Sequence, residues 1–429
     1  MKKIPVSRWL TLFVLFAFLF NACSTATPSP TATSTIEVTS TAIPTSTSIP
    51  IIPTPQPINH LERVCDEGWA TTNDTSKLPG SLVYGADNGI FLFDISSSHT
   101  KHIFKDVRYF INFAISPGHD ALSTIEYRFV GKSSKIDWQR IWVVSQDKET
   151  PIIFPETFDA YLQFIDSQTI LLVNENAAED NYVGNGTTDK FYVLSMNTDQ
   201  FTAHSVFLPN FSLREHQFSG PNDNMDPPWT LYSPDLKYVA YPIQQDWDKN
   251  FILDIQNGTT IPFDWGVSGF FAPNPFWMPN SKALTIVTPR SEPHQNYFNI
   301  ALDGQVTQLT RLEDVAKDGY DISDITDSSQ WSPDSRYLAF PIYFGGNGGY
   351  YYGTVFILDA QTGNILDLCY SEVWPKMNGG FFWSPDSRYL ATDVEGKTQI
   401  IDIENKMVYD LDTKNQLGGF IGWVNWQIP

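Results

Sequence analysis

Basic residues are scarce in this chain of 429 residues. Only 27 Lys and Arg stand against 48 Asp and Glu, which gives a formal net charge of -21. Residues 1–22 contain three of these cations and no acidic residue, so the rest of the chain is more acidic still. Nucleic acids and anionic membrane surfaces attract proteins through Lys and Arg. The acidic balance therefore excludes a nucleic-acid partner and direct electrostatic adhesion to lipid headgroups.

Recognisable catalytic and metal-binding motifs are also lacking. No Gly-x-Ser-x-Gly nucleophile elbow occurs, the seven His show no metal-ligand spacing, and no EF-hand loop is present. We therefore predict no catalytic residue, no metal site and no cofactor. One alternative stays open for calcium, because Asp246 with Asp248, or Glu179 with Asp180, supply the oxygen ligands that Ca²⁺ prefers.

The N-terminal apolar run is too short to span a membrane. Trp9–Phe20 has twelve residues, whereas a bilayer span needs about 20. It follows a cluster of cations and ends just before Cys23, an arrangement that resembles a bacterial lipoprotein signal peptide. The resemblance implies removal of residues 1–22 and acylation of Cys23, although Phe20 and Asn21 depart from the usual signal. An ordinary secretory signal peptide is the alternative.

The segment after Cys23 has the composition of a spacer. Residues 24–58 are mostly Ser, Thr and Pro, and Glu37 is their only charged residue. Such a segment cannot bury a core and stays solvated and partly extended. We predict that residues 23–58 form a disordered linker that holds a folded domain away from the lipid. The predicted location is the bacterial cell envelope, on the extracytoplasmic side of the membrane.

The rest of the chain repeats one turn motif. The motif is clearest in WSPDSRYLAF at 331–340 and WSPDSRYLAT at 383–392, with a looser copy, YSPDLKYVAY, at 232–241. Proline fixes φ at the turn, Asp accepts backbone N–H bonds, and an alternating strand follows. These residues are therefore predicted to be structural turn residues: Pro234, Asp235, Pro333, Asp334, Pro385 and Asp386.

The spacing of the repeats predicts a β-propeller. Further copies lie at 114–123, 164–173 and 277–286, so the repeat length is that of a four-stranded blade. Each copy precedes a strand–turn–strand signature, as in VFILDAQTGNILDL at 355–368. We count seven blades in residues 81–429, after a lead-in segment at 59–80. The strand at 420–428 is predicted to complete the first blade, because pairing of both termini removes exposed sheet edges.

The repeats resemble the blade signature of TolB-like, WD-repeat-like periplasmic propellers, which runs aromatic-Ser-Pro-Asp-small-basic. The resemblance covers roughly residues 80–428 and is strongest at 331–340 and 383–392. It implies an all-β, seven-bladed propeller that acts as a scaffold for proteins or small ligands.

Cysteine is rare, and the two cysteines after Cys23 suggest a disulfide. Cys65 precedes the first blade, and Cys369 follows a predicted outer strand of the sixth. Disulfides persist in exported proteins, so we predict a bridge that pins the lead-in segment to the ring. Two buried free thiols are the alternative.

Long loops predict the binding face. The connections between the second and third strands of blades 2–6 are long and emerge on one face, where binding usually resides. The connections in question are about 127–139, 174–190, 243–250, 288–296 and 342–353. Their aromatic and acidic residues suit a carbohydrate or a protein partner, although the rings would equally pack among themselves. The candidate binding residues are Trp138, Asp246, Trp247, Asp248, Tyr350, Tyr351 and Tyr352.

Three functions fit the sequence, of which the third is a purely structural component of the envelope. The first is a membrane-anchored scaffold that binds an envelope protein or a carbohydrate ligand and has no catalytic activity of its own. The second is a carbohydrate-active enzyme, a lyase or glycosidase, that uses carboxylates in the central cavity of the propeller. The second function needs two carboxylates about 5 to 10 Å apart in a pocket, a distance that spacing along the chain does not reveal. The first function is the leading hypothesis.

Overall fold

The Ser-Pro-Asp repeats build a ring of seven β-sheets. The computed structural model describes residues 60–86, 89–105, 110–129, 136–146, 148–153, 160–166, 168–174, 191–196, 200–203, 232–241, 251–262, 275–287, 295–316, 322–325, 329–344, 352–369, 381–394, 397–411 and 420–427. All of them belong to one compact unit, Pro50–Pro429.

The strands follow in chain order. They are β1 (Leu61–Arg63), β2 (Ala70–Thr72), β3 (Ser81–Ala86), β4 (Gly89–Asp94), β5 (Thr100–Lys105), β6 (Phe110–Ile115), β7 (Ala121–Phe129), β8 (Ile136–Ser145), β9 (Lys148–Ile153), β10 (Ala160–Asp166), β11 (Thr169–Asn174), β12 (Phe191–Ser195), β13 (Gln200–Ala203), β14 (Tyr238–Tyr241), β15 (Phe251–Asp254), β16 (Thr260–Pro262), β17 (Phe276–Trp277), β18 (Ala283–Val287), β19 (Tyr297–Ala301), β20 (Val306–Gln308), β21 (Ile322–Ile325), β22 (Gln330–Trp331), β23 (Tyr337–Phe344), β24 (Tyr352–Asp359), β25 (Ile365–Asp367), β26 (Phe381–Trp383), β27 (Tyr389–Val394), β28 (Lys397–Asp402), β29 (Met407–Leu411) and β30 (Phe420–Val424). A short helix, α1 (Leu312–Ala316), lies between β20 and β21.

Each sheet is one blade. From the inner edge outward, the blades contain β30-β3-β4-β5, β6 to β9, β10 to β13, β14 to β16, β17 to β20, β21 and β22 with β23 to β25, and β26 to β29. In blade 4 an isolated bridge from Tyr232 to Val239 stands in the place of the inner strand. The predicted all-β, seven-bladed propeller is confirmed.

Ring closure follows the prediction. The C-terminal strand β30 pairs antiparallel with β3, with Leu82 opposite Trp423. Gly80, just before β3, has φ +71°, and a Cβ there would collide with the carbonyl oxygen of Val424, so only glycine fits this entry into the ring. The buried Trp423 packs against Tyr389 of blade 7 at 6.3 Å between ring centroids. One residue thus joins the first and last blades.

Apolar side chains fill the seams between blades. Strand residues alternate in direction, so each sheet buries side chains against both of its neighbours. Between blades 6 and 7, for example, Ile357 and Leu366 pack in one cluster with Leu390 and Ile401. This repeated packing makes the ring a rigid support.

The predicted turn residues are hydrogen-bonded as turn devices. In blade 6, Ser332 Oγ donates to Asp334 Oδ1 at 2.6 Å and accepts the Tyr337 N–H at 2.8 Å. Blade 7 repeats this with Ser384, Asp386 and Tyr389. The side chain of the serine therefore closes the turn and starts the second strand.

The same turns also join neighbouring blades. The Asp334 N–H of blade 6 donates to Ser387 Oγ of blade 7 at 2.9 Å, and the Asn280 N–H of blade 5 donates to Ser335 Oγ at 3.2 Å. Ser335 and Ser387 are buried and have φ of 63° and 64°. The motif therefore specifies contacts between blades as well as turns, a role that the sequence analysis did not assign.

Replacing Ser335 by alanine should lower the free energy of unfolding by about 1–2 kcal/mol, because the Asn280 N–H loses its acceptor. Ser335→Gly loses the same bond but tolerates the positive φ, so it should be less destabilising than alanine by about 1 kcal/mol. Urea unfolding of the two variants measures the difference. Equal stability of both variants and the parent would contradict a role for this hydroxyl group.

The lead-in segment adds two strands that the sequence did not predict. Strand β1 pairs parallel with β25 at the outer edge of blade 6, and β2 pairs parallel with β29 at the outer edge of blade 7. We call residues 60–72 the strap. Its strands have three residues each and no alternation of apolar residues, so they carry no strand pattern of their own.

Two faces of the ring differ in their connections. The turns between the first and second strands, and between the third and fourth, are tight and lie on one side, the short-turn face. The second strand of each blade ends on the opposite side, the long-loop face. The hydrogen bonds between turns of successive blades show that these turns lie side by side on the short-turn face.

Candidate functional site

The structure describes only two of the predicted binding residues, and it places both in strands. Trp138 lies within β8 opposite Arg128, and Tyr352 begins β24 opposite Phe344. The prediction that 127–139 and 342–353 are loops was wrong at their ends, because antiparallel pairing continues past the body of each blade. The remaining candidates lie outside the described residues. They are Asp246, Trp247, Asp248, Tyr350, Tyr351 and the lipidation residue Cys23. Glu179 and Asp180 also lie outside the described residues.

A cavity of about 400 Å³ opens at the seam between blades 6 and 7. We call it the seam cavity. It lies on the short-turn face, opposite the face that the sequence analysis favoured. Its walls come from the turns of both blades and from the strap. The lining residues are Glu62, Trp69, Arg336, Tyr337, Ile357, Asp359, Thr362, Asn364, Ile365, Leu366, Ile403, Glu404 and Lys406.

Three carboxylates line the seam cavity, and each has a basic partner. Asp359 accepts a hydrogen bond from Arg336 at 2.9 Å, and Glu62 accepts one from Lys406 at 2.5 Å. Glu404 lies 3.6 Å from Nε of Arg388. Glu62 and Asp359 are thus neutralised and held in place by their partners, whereas Glu404 shares Arg388 with Asp402.

These pairs shift the pKa values of the cations. The hydrogen bond from Arg336 to Asp359 raises the pKa of that guanidinium, and the hydrogen bond to Glu62 raises the pKa of Lys406. Both residues therefore stay protonated at any pH near neutrality. Burial raises the pKa of the Tyr337 hydroxyl group, and Arg336 lies 4.7 Å above the ring of this tyrosine. The wall is a fixed set of charges and donors.

Two buried donors in the wall have no acceptor within the described part of the chain. They are Nε1 of Trp69 and Nε of Arg336. Buried N–H groups are nearly always paired in proteins, so these two favour a ligand with acceptor oxygens.

The strap is fastened beside its first strand by a disulfide and an ion pair, and at its other end by the pairing of β2 with β29. Cys65 and Cys369 form a disulfide with their Cα atoms 6.0 Å apart. Arg63 lies 3.4 Å from the buried carboxylate of Asp367, and Asp367 also accepts hydrogen bonds from Thr354 and from the backbone of Cys369 at 2.7 Å each. These contacts hold Glu62 and Trp69 against the cavity.

Sequence reasoning missed this cavity because its residues come from four separate segments. Only one signal was available. In the two clearest copies of the motif, the basic residue before the second strand, Arg336 or Arg388, is followed in the same blade by a third strand that ends in Asp, here Asp359 or Asp402. That pattern predicts an ion pair at the short-turn face, yet it does not reveal the strap.

Within the described residues, no group of three or more His, Cys, Asp or Glu side chains is arranged to hold a metal ion. Among the same residues, no helix has the length and apolar character of a membrane span.

The fold defines the class of protein as a seven-bladed β-propeller. No family model matches the chain, and no curated protein is detectably similar to it. Among solved structures, it is similar to TolB from Acinetobacter baumannii, with 13% identity and a TM-score of 0.40 over 82% of this chain and 67% of that one. It is also similar to an oligogalacturonate lyase in complex with manganese, with 11% identity and a TM-score of 0.44 over 77% of this chain and 85% of that one.

A third similar structure is a putative 6-phosphogluconolactonase from Bacteroides uniformis, with 14% identity and a TM-score of 0.37 over 82% of this chain and 98% of that one. At these values the similarities assign no function to this chain.

Proposed function

We propose that this protein is an extracytoplasmic binding module, tethered to the membrane of a bacterial envelope through lipid on Cys23. The observation that carries the binding function is the seam cavity. It has the size of a small-ligand site, and its walls combine paired charges, aromatic rings and unsatisfied donors. The Cys65–Cys369 disulfide supports an oxidising compartment.

The paired carboxylates favour binding over catalysis. A general acid or base must give up or accept a proton during the reaction. In the seam cavity, Glu62 and Asp359 are instead held by Lys406 and Arg336. Such groups orient a ligand with little loss of side-chain freedom on binding.

Replacing Cys23 by serine should release the protein from the membrane fraction. Acylation of a cysteine adds apolar area that anchors a protein, and serine cannot carry the same modification. Detergent phase partition of the full chain measures the change, with the parent in the detergent phase. A lipid-free parent would contradict the anchor and favour the alternative of an ordinary secretory signal.

The binding function is tested by retention from envelope extract. The full chain, immobilised in detergent, is compared with a variant in which 242–250 and 345–351 are replaced by short Gly-Ser turns. We expect a protein or glycan to be retained. If the variant no longer retains that species, the protein binds it on the long-loop face. If the variant still retains it, the protein binds it elsewhere, as we expect for a ligand of the seam cavity.

Two outcomes would contradict the proposal. If neither chain retains any species, the binding function is wrong. If a glycan is retained and recovered in cleaved form, the protein is a carbohydrate-active enzyme, as in the alternative hypothesis.

A further inference from the structure

We propose that the seam cavity binds a neutral saccharide of one or two sugar units. This inference rests on the proposed binding function and names the ligand class and the site. The site lies on the face opposite the loops that the sequence favoured.

The charge arrangement argues for a neutral ligand. Arg336 and Lys406 are already paired with Asp359 and Glu62. An anionic ligand would have to separate one of these pairs and leave a partly buried charge without its partner, which is costly. A cationic ligand would have to compete with Arg388 for Glu404, the third carboxylate of the wall. A neutral ligand leaves both pairs intact.

The hydrogen-bonding groups argue for hydroxyl groups on the ligand. A paired carboxylate still has free lone pairs and accepts further hydrogen bonds, so Asp359 and Glu62 suit hydroxyl donors. The unsatisfied N–H groups of Trp69 and Arg336 are buried in the structure, so these side chains must turn toward the cavity to donate to hydroxyl acceptors. A sugar hydroxyl group is both donor and acceptor.

The apolar part of the wall fits the C–H face of a sugar ring. Trp69 and Ile403 are only partly buried and pack at the edge of the core between blades 6 and 7. An aromatic ring and an aliphatic side chain in the same wall offer apolar surface to the C–H groups of a pyranose. The volume of about 400 Å³ lies at the lower end of ligand sites, near 300–1,000 Å³, which limits the ligand to about two rings.

The chain itself offers a matched pair of turns for the test. The turn Asp359–Asn364 (DAQTGN) has the same form as Asp254–Thr259 (DIQNGT) in blade 4, and Gly363 and Gly258 adopt similar positive φ. Asn364 is exposed and lines the seam cavity, whereas Thr259 is an exposed residue of blade 4. Alanine at either position should leave the fold unchanged.

The experiment measures binding to the full chain in detergent micelles by isothermal titration calorimetry. The probes are cellobiose, maltose and diacetylchitobiose, with glucuronate and glucosamine as charged comparators. We expect at least one neutral disaccharide to bind. Trp69→Phe, which keeps an aromatic ring but removes the N–H, and Asn364→Ala should each weaken binding at least fivefold, and Thr259→Ala should not change it.

Three results would overturn the inference. The first is that no neutral probe binds, and the second is that a charged comparator binds more tightly than every neutral probe. The third is that Trp69→Phe and Asn364→Ala bind as tightly as the parent while both variants melt like the parent. These results would not contradict the proposed binding function if the full chain still retains a protein or glycan from envelope extract. If the extract yields none, the binding function itself fails.

Discussion

Replacing both Cys65 and Cys369 by serine is expected to lower the free energy of unfolding by up to about 5 kcal/mol, the largest loss from any pair of substitutions considered. The bridge joins residues 304 positions apart. In the chain-entropy model, a loop of about 300 residues lies at the upper end of disulfide stabilisation, near 5 kcal/mol. The loss arises mainly because the unfolded chain becomes less constrained.

Thermal unfolding measures this effect. A domain of about 350 residues unfolds with an entropy of roughly 0.7 kcal/mol/K, so a loss of about 5 kcal/mol lowers Tm by roughly 7 °C. Reductant should lower the Tm of the parent to that of the double variant and leave the variant unchanged. Equal melting of parent and variant without reductant would show that the bridge does not stabilise the ring.

The double variant also tests the strap. Without the disulfide, the strap is held by two three-residue parallel strands, by Arg63 on Asp367 and by Lys406 on Glu62. Short edge strands open at low free energy. A protease should therefore cut within residues 60–72 of the variant before it cuts the blades, whereas the parent resists at both places.

The blades were predictable from sequence because their signals are local. A Ser-Pro-Asp turn between an aromatic residue and an alternating strand contains its own hydrogen bonds, as Ser332, Asp334 and Tyr337 show. The closing strand was predictable for a different reason. Blade 1 lacked one strand, and only 420–428 had the pattern to supply it.

The strap and the seam cavity were not predictable, because neither has a local pattern. The parallel pairing of Leu61 with Ile365 depends on where the disulfide holds the chain. Glu62, Trp69 and Lys406 meet only after two blades and the strap are assembled. The ends of the long connections were mispredicted because strand pairing extends further than expected, to Trp138 in one blade and to Tyr352 in another.

The basic residue of the motif also had a role that sequence alone did not show. Arg388 donates to both carboxylate oxygens of Asp402, at 3.2 Å from Nε and 2.7 Å from Nη2. Asp402 is fully buried and accepts two further bonds from Asn405, at 3.0 and 2.9 Å. The motif thus ties the first turn of blade 7 to its second turn.

Replacing Asp402 by asparagine is therefore expected to lower the free energy of unfolding by about 2–3 kcal/mol near neutral pH. Removing one member of a buried ion pair costs about 3–5 kcal/mol, and the estimate is reduced because the Arg388 side chain is 32% exposed and remains near Glu404. Urea unfolding of the parent and the variant measures the difference.

Asp254 in blade 4 is the matched control. It accepts the same two hydrogen bonds from Asn257, at 2.9 and 2.8 Å. Lys237 occupies the place of Arg388 in the motif and pairs with Asp235 at 3.3 Å instead. Asp254→Asn should therefore destabilise the protein less than Asp402→Asn. If both variants lose the same free energy of unfolding, the effect comes from the hydrogen bonds of the turn and not from the ion pair with Arg388.

The loss from Asp402→Asn should depend on pH in a defined direction. Burial by itself raises the pKa of Asp402, but the hydrogen bonds from Arg388 and Asn405 outweigh it and hold this pKa below its ordinary value. A carboxylate with a lowered pKa in the fold stabilises the protein fully above its unfolded pKa, about 3.9, and loses that contribution as pH falls through the folded value. The difference between parent and variant should stay constant from pH 7 to about 5 and shrink only below about 4. If the difference instead vanished above pH 5, the charge of Asp402 would not be the source of its stabilisation.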